Sequence, residues 1–169
     1  IVAFSVATAA IYALYSIILF QGTSSQGDDL QLSTKNILDQ VDVLFSKQEY
    51  ALVELLATKY LDRVPSHIEV RKFLAKAYFE EKKYNLSIKQ CGIILEKRPN
   101  DIETRHVLGK CYVKKHLLNK AINEFSIVYE KNKRNKEVVQ TLAELYAKSD
   151  QLYMAVNAYG ELVYLTESP

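Results

Sequence analysis

The sequence contains little glycine, little cysteine and no charge in its opening segment. There are only five glycines, and two of them, Gly22 and Gly27, lie in one short polar stretch. No glycine-rich phosphate-binding loop is therefore expected, and the GxSxG, HExxH and Walker patterns of common hydrolases are absent. The sequence predicts a protein that is not an enzyme, with no cofactor and no small-molecule substrate.

Histidine and cysteine are also sparse. His67, His106 and His116 are isolated from one another and from the cysteines, so no metal site is expected. Cys91 and Cys111 fall on apolar stripes, where free thiols usually act as small buried hydrophobic groups. A disulfide between them stays open as the alternative in an oxidising compartment.

The opening segment, from Ile1 to Gly27, contains no charged side chain. Only Ser5, Thr8 and Ser16 interrupt the apolar run of residues 1–20, and as a helix this run would reach about 30 Å, the thickness of a hydrocarbon core. We predict an uncleaved transmembrane anchor at residues 1–21. A buried core helix and a signal peptide are the alternatives, although no small-residue cleavage site follows the run. The main membrane-spanning side chains are predicted to be Ile1, Val2, Phe4, Ile11, Leu14, Ile17, Ile18, Leu19 and Phe20.

Residues 22–33 follow the anchor and are rich in Gly, Ser and Asp, which is typical of a flexible tether. Asp28 and Asp29 come before Lys35, the first basic residue. Because positive charge beside a span favours the cytoplasmic side, the rest of the chain is expected outside the cytoplasm, in a periplasm or an equivalent compartment.

From Thr34 onward a pattern recurs every 34 residues, in units 34–67, 68–101, 102–135 and 136–169. Each unit contains two apolar stripes at helical spacing with a polar break between them, so each is predicted to be a helical hairpin that must stack on its neighbours. Pro65 and Pro99 are expected to end second helices, with Ser66 and Asp101 capping the next first helices. Small residues are expected where helices approach most closely, at Ala75, Ser87, Gly109, Ala121, Ala143 and Ala155. The predicted fold is all-α, a single membrane helix followed by a solenoid of four hairpins.

The recurring positions are Leu74-Ala75, Tyr78, Tyr84, Ser87, Ile94 and Pro99; Leu108-Gly109, Tyr112, Leu118, Ala121, Phe125 and Val128; and Leu142-Ala143, Tyr146, Leu152, Ala155, Tyr159 and Leu162. This spacing resembles the tetratricopeptide repeat (TPR) family, in a membrane-anchored bacterial form. The sequence departs from the family pattern in its first unit, which has Gln40-Val41 for the usual Leu-Gly pair, and at Lys133, which replaces a closing proline. No polar capping helix ends the pattern, so further repeats are expected to follow residue 169.

The resemblance implies that the first helices of successive hairpins line a concave groove that binds an extended peptide or a helix. The groove residues carried over are Leu38, Asp42, Phe45, Lys72, Lys76, Phe79, His106, Lys110, Val113, Lys114, Gln140, Glu144 and Ala147. Lysines dominate its middle, which predicts an acidic or extended partner segment. A solvated basic face without any ligand is the alternative. Nucleic acid is not expected as a partner, because the lysines alternate with acidic residues.

These features predict a membrane-anchored scaffold for protein–protein interactions within a larger assembly of the cell envelope, for example a secretion apparatus or the periphery of a flagellar motor. One alternative is a chaperone-like adaptor for exported proteins. Another is a substrate-selecting module of an enzyme whose catalytic domain follows residue 169.

Overall fold

The computed structural model describes the backbone of residues 28–167 and the side chains of residues 36–166. The chain divides into two compact units, Ile1–Ile37 and Leu38–Pro169. Of the first unit, the structure describes residues 28–37, which are helical. All the predicted groove residues lie in the second unit.

Between residues 28 and 167 the chain forms eight helices and no strand. The helices are α1 Asp28–Ser46, α2 Tyr50–Arg63, α3 Ile68–Glu80, α4 Tyr84–Lys97, α5 Ile102–Lys114, α6 Leu118–Lys131, α7 Lys136–Lys148 and α8 Leu152–Glu167. The first helices α3, α5 and α7 begin one repeat length apart, as do the second helices α2, α4, α6 and α8. From α2 to α8 each helix packs against the next one along the chain, and α3 also packs against α5. The predicted all-α fold of successive helical hairpins is confirmed from α2 onward.

A polar side chain caps the start of each of these first helices. Asp101 accepts a hydrogen bond from the backbone N–H of Thr104 at 2.9 Å, as predicted. At the equivalent place before α3, the cap is His67, whose Nδ1 accepts from the N–H of Val70 at 3.2 Å. The prediction of Ser66 is therefore wrong by one residue, because the repeat register aligns Asp101 with His67.

A residue with left-handed backbone follows each first helix two positions after its end, and none of these residues is glycine. Gln48, Lys82, His116 and Asp150 have φ between 58° and 62° and occupy the same position in successive repeats. In the second of these turns the N–H of Lys83 bonds to the carbonyl of Tyr78 at 2.8 Å. This six-to-one bond is the Schellman motif, which reverses the chain into the second helix.

The turn after α6 lacks the proline found after α2 and α4. There, the Asn132 side chain accepts a hydrogen bond from the backbone N–H of Arg134 at 3.2 Å. An Asx turn of this kind supplies the chain reversal that proline supplies elsewhere, which accounts for the tolerance of Lys133. The basic residues Lys131, Lys133 and Arg134 are exposed, as expected of a solvated turn.

The core runs through the seams between hairpins. Leu74, Leu108 and Leu142 occupy equivalent buried positions, with exposed fractions of 3%, 6% and 5%. Between the last two hairpins, Ala121, Phe125 and Val128 from α6 pack with Val138, Leu142 and Leu145 from α7. The small residues predicted at close approaches are all buried: Ala75, Ser87, Gly109, Ala121, Ala143 and Ala155.

The helix α1 begins six residues before the predicted first unit, so the prediction of a flexible tether is wrong for residues 28–33. Those residues contain neither glycine nor proline, so nothing in them breaks a helix. The predicted anchor and residues 22–27 lie outside the described residues. Among residues 28–167, no helix has both the length and the apolar character needed to cross a membrane.

Candidate protein-interaction site

The first helices form a cleft of about 340 Å³ at the place where the binding groove was predicted. We call it the first-helix cleft. Its lining residues come from the end of α1, from α3 and from α5: Phe45, Lys76, Phe79, Glu80, Glu103, His106, Val107 and Lys110. Five of these eight residues were predicted.

Aromatic rings and one lysine shape the α3 side of this cleft. Phe45 packs edge-on against Phe73, with ring centroids 5.9 Å apart, and Phe79 packs against Tyr84 at 5.7 Å. The Nζ of Lys110 lies 4.7 Å from the centroid of the Phe79 ring, which is the geometry of a cation–π contact. The ammonium of Lys110 is thus held above an apolar surface.

Two lysines predicted to make the groove basic are already neutralised. The Nζ of Lys72 lies 2.6 Å from the Asp101 carboxylate and 3.2 Å from the Glu103 carboxylate, and Lys76 also pairs with Glu103. Burial opposes the charge on Lys72, yet its hydrogen bonds to both carboxylates raise its pKa above the ordinary value. Two positive and two negative groups cancel here, so Lys72 and Lys76 are not free to attract an acidic segment.

His106 forms part of the cleft floor as a neutral ring. It packs edge-on against Phe125 with ring centroids 5.5 Å apart. Its Nε2 lies 3.7 Å from the exposed carboxylate of Glu137. Burial lowers the pKa of His106, more than Glu137 offsets, so the ring is uncharged at neutral pH.

The structure does not bring all the predicted groove residues together. Leu38 on α1 is half-buried, Lys114 on α5 is exposed, and neither lines the cleft. On α7 the side chain of Gln140 donates to Glu144 at 3.0 Å, again outside the cleft. The remaining predicted positions on these helices are Asp42, Val113 and Ala147.

Sequence reasoning missed Glu80, Glu103 and Val107. Glu103 and Asp101 stand at the start of α5, and they meet the lysines of α3 across the stack. The repeat register could have revealed these contacts. In a stack, the first turn of each first helix lies beside the first helix of the preceding hairpin. Reading the repeats as isolated hairpins conceals such inter-unit pairs.

The two cysteines lie in the seam behind the cleft and are free and buried, as predicted. The Cys111 thiol lies 3.2 Å from the Ser87 hydroxyl, which itself donates to the carbonyl of Ala75 at 2.7 Å. Burial raises the pKa of Cys91 to about 12, so this thiol stays protonated and unreactive at neutral pH.

No protein-family model and no curated protein matches this sequence. Solved structures of MamA do match its fold. A double mutant of MamA RS-1 superposes with a TM-score of 0.74 at 17% identity, over 80% of this chain and 78% of that one. The structure of residues 41 to the end of MamA from Desulfovibrio magneticus RS-1 gives 0.73 at 17%, over 78% and 75%. MamA AMB-1 gives 0.72 at 19%, over 96% and 87%. At such identities the likeness shows the fold alone, which is a TPR-like helical solenoid.

Proposed function

We propose that this chain is a non-catalytic scaffold that binds another protein in the first-helix cleft. The observation that carries the proposal is the composition of that cleft, in which Phe45, Phe79 and Val107 offer apolar surface beside the ammonium of Lys110. Apolar anchors with a few charged groups at the edge are typical of sites that hold a peptide or a helix. The TPR-like fold of the chain supports the same reading.

The chemistry of the partner follows from the charges left unpaired. Since Lys72 and Lys76 are neutralised by the start of α5, Lys110 and the exposed Lys114 are the predicted groove lysines whose charge is not paired with a carboxylate. The proposed partner is an extended or helical segment that places an apolar side chain near Phe79 and a carboxylate near Lys110.

We also propose that this scaffold is held at a membrane, outside the cytoplasm, within a larger assembly of the cell envelope. The support is the sequence from Ile1 to Gly27, which is free of charge and followed by acidic residues before any basic one. A fixed assembly implies one dominant partner. The alternative role as a chaperone-like adaptor implies many transient ones.

Site-specific photocrosslinking in cells tests the cleft and separates the two roles. A photoreactive residue is placed at Phe79, inside the cleft, and as a control at Lys89, an exposed residue on α4. We expect one dominant crosslinked protein from Phe79 and none from Lys89. Lys110→Glu in the Phe79 variant should reduce that product at least about fivefold, because it puts like charge opposite the partner carboxylate.

Equal products from Phe79 and Lys89, or no effect of Lys110→Glu, would contradict the cleft as the binding site. A broad spread of unrelated products that still depends on Lys110 would replace the scaffold by the adaptor. Circular dichroism of Lys110→Glu should match the parent chain, since this side chain is not part of the core.

A further inference from the structure

Two inner hairpins contain an arginine clamp that joins both of their helices. In the third hairpin, Nη1 of Arg105 donates to the Glu124 carboxylate at 2.7 Å, and its Nη2 donates to the carbonyl of Pro99 at 2.7 Å. In the second hairpin, Arg71 makes the equivalent bonds to Gln90 at 2.6 Å and to the carbonyl of Pro65 at 2.5 Å. The guanidinium groups thus fill the space between each hairpin and the turn that precedes it.

The fourth hairpin lacks both members of this clamp. The positions one repeat after Arg105 and Glu124 are Val139 and Ala158. A cavity of about 250 Å³ lies beside these two short side chains, between α6, α7 and α8. Its other main lining residues are Tyr129, Tyr146, Met154 and Glu161.

The cavity has the chemistry of a cation site. The hydroxyl of Tyr129 lies 2.8 Å from both oxygens of the Glu161 carboxylate, which still has acceptor positions to spare. Among the ion pairs of residues 36–166, none involves Glu161. The Tyr129 ring already attracts one cation, since the Nζ of Lys133 lies 5.8 Å from its centroid, and Tyr146 lines the same cavity.

At neutral pH the Tyr129 hydroxyl stays protonated, so the cavity still favours a cation. Burial, followed by the neighbouring Glu161 carboxylate, raises the pKa of Tyr129 to about 12. The phenol therefore remains a hydrogen-bond donor to Glu161 and carries no charge of its own. The net charge of the inner cavity comes from one carboxylate, and Glu130 at its edge is already paired with Lys133 at 3.2 Å.

We propose that this cavity binds the guanidinium of an arginine side chain from another protein. That arginine would take, in the fourth hairpin, the place that Arg71 and Arg105 take within their own hairpins. A guanidinium fits better than an ammonium, because it is planar, stacks on tyrosine rings and bonds to a carboxylate through two N–H groups. The site lies apart from the first-helix cleft and stands whether or not that cleft binds a partner.

Met154 gives a direct readout because it is the only methionine in this sequence. The full chain is labelled with methyl-¹³C methionine and titrated with blocked Gly-Arg-Gly, with the same peptide containing citrulline, and with the same peptide containing lysine. We expect a saturable shift of the Met154 methyl signal with arginine, with a dissociation constant on the order of 1 mM. The neutral citrulline peptide should give no saturable shift, and lysine should bind more weakly.

Two variants test the residues behind the proposal. Glu161→Gln keeps the shape of the side chain but removes its charge, and it should weaken arginine binding at least about tenfold. The double variant Val139→Arg with Ala158→Glu rebuilds the inner clamp inside the cavity and should abolish the shift. Glu130→Gln is the matched control, since it removes an exposed carboxylate at the edge and should change binding less than about twofold.

The proposal is overturned if the arginine peptide gives no saturable shift, if citrulline binds as well as arginine, or if Glu161→Gln leaves binding unchanged. Titration with ethylguanidinium separates the two sources of the cation. Binding of ethylguanidinium without binding of the peptide would assign the cavity to a small free cation and overturn the role of a partner protein. If the double variant fails to fold, Glu161→Gln decides the outcome.

Discussion

The third and fourth hairpins have nearly the same apolar pattern but different surroundings. Ile122 on α6 is half-buried, while Val156, the equivalent residue on α8, is 69% exposed. Tyr129 and its equivalent Val163 show the same contrast, with Val163 53% exposed. Helix α6 is covered by α7 on its outer side, and in the part of the chain that the structure describes nothing covers the outer side of α8.

The difference shows that the burial of a side chain in a stacked repeat depends on the neighbouring hairpin as much as on the sequence of its own hairpin. The interior of the hairpins differs too, since Arg105 and Glu124 in the third become Val139 and Ala158 in the fourth. The arginine clamp is present in the third hairpin, which is stacked on both sides, and absent from the fourth hairpin, beside the cavity. Three sets of substitutions test how far this contrast determines stability.

The largest effect is expected at Ala121, which is fully buried in the seam between α6 and α7. Ala121→Arg should reduce the free energy of unfolding by about 4 kcal/mol or more, because a charged side chain has neither space nor a partner there. Urea unfolding followed by circular dichroism measures it. The control is Ala147→Arg on the exposed face of α7, which should stay within about 0.5 kcal/mol of the parent.

An Ala121→Arg chain that unfolds at the same urea concentration as the parent would contradict the register of the seam. It would also mean that packing in this seam does not contribute to stability. The stacked third hairpin would then gain nothing over the fourth, whose outer side has no such seam.

A smaller loss is expected from breaking the arginine clamp of the third hairpin. Arg105→Val should cost about 2 to 3 kcal/mol, because it leaves the buried Glu124 carboxylate and the Pro99 carbonyl without their donor. Arg105→Val with Glu124→Ala copies the fourth hairpin, and it should cost less than the sum of the two single changes by about 1 kcal/mol or more. The thermodynamic cycle is measured by urea unfolding.

Arg98→Ala is the control for this cycle. Arg98 pairs with Glu69 at 2.6 Å, but both side chains are about half exposed. Its loss should therefore change the unfolding free energy by less than about 0.5 kcal/mol. Strict additivity of Arg105→Val and Glu124→Ala would show that the two side chains do not act as a pair.

Much of the fold was predictable because the same sequence pattern recurs in four units. The period, the hairpins and the buried Leu74, Leu108 and Leu142 all follow from apolar spacing, which depends only on residues within a hairpin. The left-handed turns at Lys82 and His116 were not predictable, because neither residue is the glycine or asparagine that signals this backbone. There, tertiary packing overrides local preference.

The candidate site was predicted only in part. The TPR resemblance put Phe79 and Lys110 among the groove positions, and both line the first-helix cleft. It could not show that Lys72 and Lys76 are neutralised, because their partners Asp101 and Glu103 lie at the start of the next first helix, α5. Charge at a repeat surface depends on contacts between units, which the pattern of one unit does not contain.

The smallest effects are expected at two glycines, Gly109 on the stacked helix α5 and Gly160 on the uncovered helix α8. In Gly109→Ala the new Cβ would lie 2.9 Å from Cε2 of Phe125, whose ring is 1% exposed and packed in the core, so that a shift of the ring disturbs its neighbours. The overpacking should exceed the gain in helix propensity and reduce the unfolding free energy by about 1 to 2 kcal/mol.

Gly160→Ala on α8 should have the opposite sign. A Cβ there meets no atom within 4 Å, so only the backbone effect remains, and it should stabilise the chain by about 0.5 to 1 kcal/mol. Gly92→Ala on α4 is a second open position with the same expectation. Thermal unfolding of the three variants measures both signs. A gain at Gly109 would show that the contact with Phe125 has no consequence, and a loss at both open glycines would contradict the expected gain in helix propensity.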